Sequence, residues 1–135
     1  MTGMTVDSLR SYQDLKVWQR AMELAGLCHE LSHRIPTHKS SSLGNQMERA
    51  AVSVPANIAE GAGRRSRADF LRHLSIANGS LRELETHLML AERLRLVPDD
   101  EIASALAIAS ETGRLLAGLV RSLRASPRRD PSGRA

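Results

Sequence analysis

From Phe70 to Ala91 the apolar residues step by four and three without a break: Phe70, Leu74, Ala77, Leu81, Leu84, Leu88 and Ala91. Such a heptad seam specifies a long α-helix that must bury one stripe against other helices at shallow crossing angles. Ser66 stands before the seam with Asp69 three residues on, a capping-box arrangement with Asp in place of the usual Glu or Gln. Val97-Pro98 ends the segment, because the residue before a proline avoids the helical region.

Three more amphipathic segments accompany it. Leu15, Trp18, Met22, Ala25 and Cys28, with Leu24 and Leu31 widening the stripe, predict a first helix over about Tyr12 to His33, closed by Pro36. Thr37 to Ser42 reads as a polar loop, with Ser42 as N-cap of a second helix. Leu43, Met47, Ala50, Val54 and Ile58 form the inward stripe of that helix. Pro55 lies inside it and is expected to kink or split it, since proline lacks the N–H for the bond back to Ala51. Gly61 is the expected C-terminal cap. A fourth helix opens on the acids Asp99, Asp100 and Glu101, which suit a helix N-terminus. It continues through Ile102, Leu106, Ala109, Gly113, Leu116, Val120 and Leu123, with Arg121 and Arg124 suited to its C-terminal end.

Four such helices on short connections specify an all-α fold, an antiparallel up-down-up-down four-helix bundle over residues 12–125. Residues 1–11 show no period and read as a flexible arm. Residues 126–135 are rich in Pro, Gly and Arg and read as a disordered basic tail. No β-type alternation or solenoid-length repeat appears. Tyr12, Trp18 and Phe70 are the only aromatic residues, in keeping with a Leu- and Ala-rich helical core. The single cysteine, Cys28, excludes an internal disulfide framework and a zinc site built on several thiolates. No signal-peptide pattern and no segment of membrane-spanning length is read, so a cytoplasmic protein is expected.

The basic excess is uneven. Between Ala62 and Arg95 there are seven arginines against four acids, and the tail carries three more against one. Arg64, Arg65 and Arg67 crowd the start of the third helix, with Arg72 a little further along. Cations are disfavoured there, because the macrodipole and the unpaired N–H groups already make that end positive. An anion is therefore the expected partner, and guanidinium groups grip phosphate bidentately. The opposing reading pairs these arginines with acids such as Glu60 or Asp69. Scarce aromatics argue against base stacking, which favours backbone and shape recognition of RNA or DNA.

No catalytic constellation is present. Asn57 and Glu60 sit in an otherwise apolar helix and read as an internal polar network supporting the bend at Pro55. Glu30 and His33 make one Glu-x-x-His pair, but a di-iron bundle needs two, and Glu83, Glu85 and His87 do not repeat the spacing. His29 and His33 lie four apart on one face with Cys28 beside them; they read as incidental, and neither metal nor cofactor is expected. Gly61-Ala62-Gly63 follows a helix and lacks the closing Lys-Ser or Lys-Thr of a nucleotide loop. Gly79-Ser80 interrupts the third helix away from its leucine seam. A glycine there costs about 1 kcal/mol against alanine, which close approach of another backbone would justify, inside the bundle or between protomers.

YQDLKVWQRAMELA near the start, AVSVPANIAEGAGRRSRADFLRHLSIANGSLRELETHL in the middle and LRLV before the last helix resemble the four-helix-bundle family of 23S rRNA intervening-sequence proteins. The positions that match are Trp18, Ser53, Pro55, Asn57, Glu60, Gly61, Arg64, Phe70, Gly79, Ser80 and Glu83. Met47-Glu48 depart from a stretch that is often more basic in the family. Related bundles accompany diversity-generating retroelements as pentameric barrels that bind nucleic acid and a reverse transcriptase. The resemblance thus implies a homo-oligomer, a pentamer by that likeness, with a basic surface. The expectation is a non-enzymatic nucleic-acid-binding oligomer, with Arg64, Arg65, Arg67 and Arg72 on phosphate and Arg49 and the tail arginines as helpers. The alternative is a protein-interaction adaptor, for example an accessory subunit of a reverse transcriptase. No membrane and no small-molecule substrate are expected.

Overall fold

A computed structural model describes residues 11–125, with the side chains of residues 38–41 excepted. A 3-10 turn at Tyr12–Asp14 leads into four α-helices: α1 (Lys16–Arg34), α2 (Thr37–Ala62), α3 (Arg67–Arg93) and α4 (Asp99–Ala125). The predicted arm (1–11), apart from Ser11, and the predicted tail (126–135) lie outside the described residues. Each helix packs on two neighbours, α1 on α2 and α4, α3 on α2 and α4, and α2–α3 is the most extensive interface. The start of α4 meets the end of α1 through the Arg34–Glu101 ion pair. The start of α3 meets the end of α4 through Arg67 and the Leu123 carbonyl. These contacts and the short connections are those of an up-down-up-down bundle.

The seam of α3 is buried throughout, from Phe70 to Ala91, with His73 and His87 beside it. The stripe of α2 is buried as expected at Leu43, Met47, Ala50, Val54 and Ile58. In α1 the inward face is rotated from the expected one. Val17, Ala21, Leu24, Cys28 and Leu31 are buried, Trp18 packs half-buried at the edge, and Met22 faces solvent. Spacing alone allows both stripes; contact with α2 and α4 selects between them.

Several boundaries differ from the sequence expectation for identifiable reasons. Residues 12–15 are not part of α1. The Ser11 hydroxyl accepts from the Gln13 N–H at 3.1 Å and holds a separate 3-10 turn, which carries Tyr12 edge-on against Trp18 with ring centroids 5.3 Å apart. The expected loop Thr37–Ser42 is helical, and α2 begins directly after Pro36. Proline is well placed just ahead of a helix, and burial of Ile35 and Leu43 on either side fixes the chain direction there. Pro55 does not split α2, which runs through it with the proline buried. By length and composition α4 is apolar enough to cross a membrane, contrary to expectation. Ile102, Ala105, Ala109, Leu116 and Leu123 are buried in the bundle, but Leu106, Ile108, Leu115, Leu119 and Val120 are only partly covered, and a third of the apolar window is buried.

Gly61 is not the cap of α2. The helix continues to Ala62, and Gly63 is the cap residue at a negative φ of −83°, its N–H reaching the carbonyls of Ala59 and Glu60 while the Arg64 N–H reaches that of Gly61. Gly61 is instead where α2 and α3 approach most tightly. A Cβ there would lie 2.7 Å from the Cβ of His73 and 3.0 Å from Cδ1 of Phe70. Neither atom is the free end of a flexible side chain, so the helices must part to admit it. Gly61→Ala is expected to lose roughly 1–2 kcal/mol net, a strain of about 2–3 kcal/mol partly offset by the ~1 kcal/mol of alanine's helix propensity. Urea denaturation checks this as a lower midpoint at unchanged slope.

Candidate nucleic-acid interface

The α2–α3 connection spans Gly63 to Ser66. Ser66 caps α3, its hydroxyl accepting from the Asp69 N–H at 3.0 Å. Arg64 and Arg65 protrude from this turn and Arg67 opens α3. Each arginine has a different fate.

Arg64 donates to Glu60 at 2.7 Å, a helix-spaced pair with both side chains about half exposed. The bond holds the Glu60 carboxyl below the usual carboxylate range. A depressed value means that the pair's contribution is present above the ordinary carboxylate pKa and is lost as pH falls through the lowered one. Both groups are open to water, so that contribution is small. Glu60 is therefore not the buried acid of an internal network. Its carboxylate faces outward to Arg64 and lies 3.6 Å from Nε2 of the buried His73 ring. Asn57 does form an internal link, though not to the carbonyl that Pro55 leaves bare. Its amide donates to the Ser53 carbonyl at 2.9 Å and the Ser53 hydroxyl at 3.1 Å, and that hydroxyl lies 2.7 Å from Ser80 on α3.

Arg67 donates to the Leu123 carbonyl at 3.1 Å. The last carbonyls of a helix lack intrahelical partners and carry the negative end of its dipole. The end of α4 therefore supplies, within the chain, part of the negative charge that a cation at the start of α3 calls for. Arg72 stands 3.6 Å from Asp69, both side chains about half open to water. Arg65 is exposed and makes no ion pair or hydrogen bond among the described residues. Arg49 is also exposed and unpaired among them, but sits about 20 Å back along α2 and does not join the cluster.

The fold also adds residues that the chain order separates. Because Arg67 reaches Leu123, the exposed Arg124 comes to the same end of the bundle as Arg64 and Arg65, with exposed Arg121 one turn back. At sequence level both read only as partners of their own helix dipole; no local signal joins them to a turn so far back in the chain. The result is a corner of exposed guanidinium groups from two segments. Cys28 contributes nothing to any site: it is fully buried, and burial pushes its thiol up to about 12.

Residues 13–118 match the model of the 23S rRNA-intervening sequence protein family. The chain belongs to that family. A crystal structure of a protein of unknown function from the S23 ribosomal protein family of Bacteroides thetaiotaomicron superposes with a TM-score of 0.74 at 27% identity, covering 78% of this chain and 98% of that one. No curated protein matches this chain. This family member is an all-helical bundle, and the arginine-bearing α2–α3 turn falls inside the matched region.

The two roles of the arginines separate by substitution. Arg67→Ala is expected to lower stability by about 1 kcal/mol, through the bond to the end of α4. Arg65→Ala is expected to stay within about 0.5 kcal/mol of the parent. Thermal unfolding of both variants, followed by far-ultraviolet circular dichroism, checks the contrast.

Proposed function

We propose that this family member is a non-enzymatic, homo-oligomeric nucleic-acid-binding protein that takes the phosphate backbone of RNA on the corner formed by Arg64, Arg65, Arg72 and Arg124. The observation that carries the reading is the exposed Arg65, unpaired among the described residues, beside Arg64 and Arg72 in pairs weak enough for a phosphate to displace. The family's name, which refers to 23S rRNA, supports RNA over DNA as the first target to test. Arg67 belongs to the scaffold of this corner.

Self-association is supported by a second face. Val52 on α2 and Ile76 on α3 are exposed, and the Ser53–Ser80 contact sets their helices side by side there. Gly79 lies on this surface with open space where a Cβ would stand. No neighbour among the described residues requires a glycine at that position; a closely approaching second protomer would. Five chains is the stoichiometry that the family resemblance implies.

The triple variant Arg64→Ala/Arg65→Ala/Arg72→Ala is expected to bind a structured ribosomal RNA fragment more weakly. The slope of log affinity against log salt should fall by roughly 0.7–0.9 for each phosphate that the variant no longer neutralises. Filter binding across a salt series measures both, and an unchanged slope would remove the site. Light scattering of the full chain is expected to show a multiple of the single-chain mass, and Gly79→Leu is expected to reduce it to one chain with helicity intact. A wild-type monomer would end the oligomer proposal.

A further inference from the structure

Away from the arginine corner, the last turns of α1 and the middle of α2 hold a different cluster. His29 and His33 lie one turn apart on the exposed face of α1, their rings 4.3 Å apart between centroids. Glu48 of α2 reaches across, its Oε2 2.5 Å from His29 Nδ1 and 3.6 Å from His33 Nδ1. We infer that His29, His33 and Glu48 form a binding site for a divalent transition-metal ion of the zinc, nickel or copper class.

Three observations converge on it. One donor atom from each residue can be chosen so that all lie within 4.8 Å of one another. Ligands at about 2.0–2.2 Å around a tetrahedral Zn2+ stand roughly 3.3 Å apart, a difference that exposed side chains close by small rotations. His33 Nδ1 lies 2.8 Å from the His29 carbonyl, an acceptor only; with its proton on Nδ1 to serve that carbonyl, the ring keeps Nε2 as its metal-binding nitrogen, which rotation of the exposed side chain turns toward Glu48. Finally, the segment reads His29-Glu30-Leu31-Ser32-His33, the two-histidine spacing by which a helix binds zinc from one face.

Two imidazoles and one carboxylate select borderline metals over Mg2+ and Ca2+, which prefer all-oxygen sets. Cys28, next to His29 in the chain, faces the core and is not a ligand. The two histidine side chains are 60% and 62% exposed, so no walls surround a substrate. The site binds a metal rather than housing a hydrolase. It stands about 24 Å along α2 from Arg64 and is independent of the nucleic-acid reading.

Calorimetric titration of the tag-free full chain with Zn2+ alone tests it. One ion per chain is expected, with binding weakened about tenfold or more in His29→Ala and His33→Ala and less severely in Glu48→Gln. Excess Mg2+ is expected not to compete. In the unmutated protein, the ring proton resonances of His29 and His33 should move on adding Zn2+ while those of the buried His73 and His87 stay in place. Absence of Zn2+ binding, wild-type affinity in His33→Ala, displacement by Mg2+, or ring shifts confined to His73 and His87 would each overturn the assignment.

Discussion

The apolar seam of α3 is closed on two sides, by α2 and by α4, and the remaining geometry depends on that closure. A stripe from Phe70 to Ala91 with no exposed member leaves α3 no freedom to rotate about its axis. The tightest approach, at Gly61, draws α2 against the first turn of α3, where Phe70 and His73 fill the space that a side chain on α2 would need. Polar contacts follow from this packing. Ser53 meets Ser80 because the seam sets the level of the two helices, and Asn57 then turns to Ser53. An unpaired hydroxyl at such a half-buried level costs more than the bond itself contributes, so these contacts penalise a slipped register.

Antiparallel packing also decides the electrostatics of the helix ends. Each positive N-terminus stands beside a neighbour's negative C-terminus, and charged side chains near an end can reach either one. Arg67 is unfavourably placed on its own helix and favourably placed on α4. Arg34 at the end of α1 likewise meets Glu101 at the start of α4. Arg67 and Arg34 thus have partners inside the bundle, while exposed cations gather at the corner of Arg64, Arg65 and Arg124 and also stand singly elsewhere, as at Arg49. That corner remains open to water, so its guanidinium groups stay available to a phosphate, whereas pairs such as Arg64–Glu60 are screened and easily exchanged.

Much of the fold was legible in the residues. The α2 and α3 stripes, the Ser66 cap and the helix stop at Pro36 follow from spacing and local backbone chemistry, which act over a few residues. The departures share a cause. The face of α1, the start of α2 and the role of Gly61 are settled by which neighbour each helix meets, and periodicity does not contain that information. A run such as Thr37–Ser42 has weak preferences of its own, and tertiary burial on either side of it prevails. The His-Glu-x-x-His spacing stood in the sequence, but its third donor, Glu48, lies on another helix and is apparent only when α1 and α2 are packed together.

By itself, the sequence determined that this chain is an all-helical bundle, where its four helices lie within a few residues, and that its positive charge gathers between α2 and α3 and beyond α4. These are consequences of side-chain periodicity, capping chemistry and proline sterics, all local. Only the tertiary structure decided which arginine serves the scaffold, which faces solvent, and which histidines share a carboxylate. Those outcomes depend on distances between segments far apart in the chain, and burial of the shared core sets them.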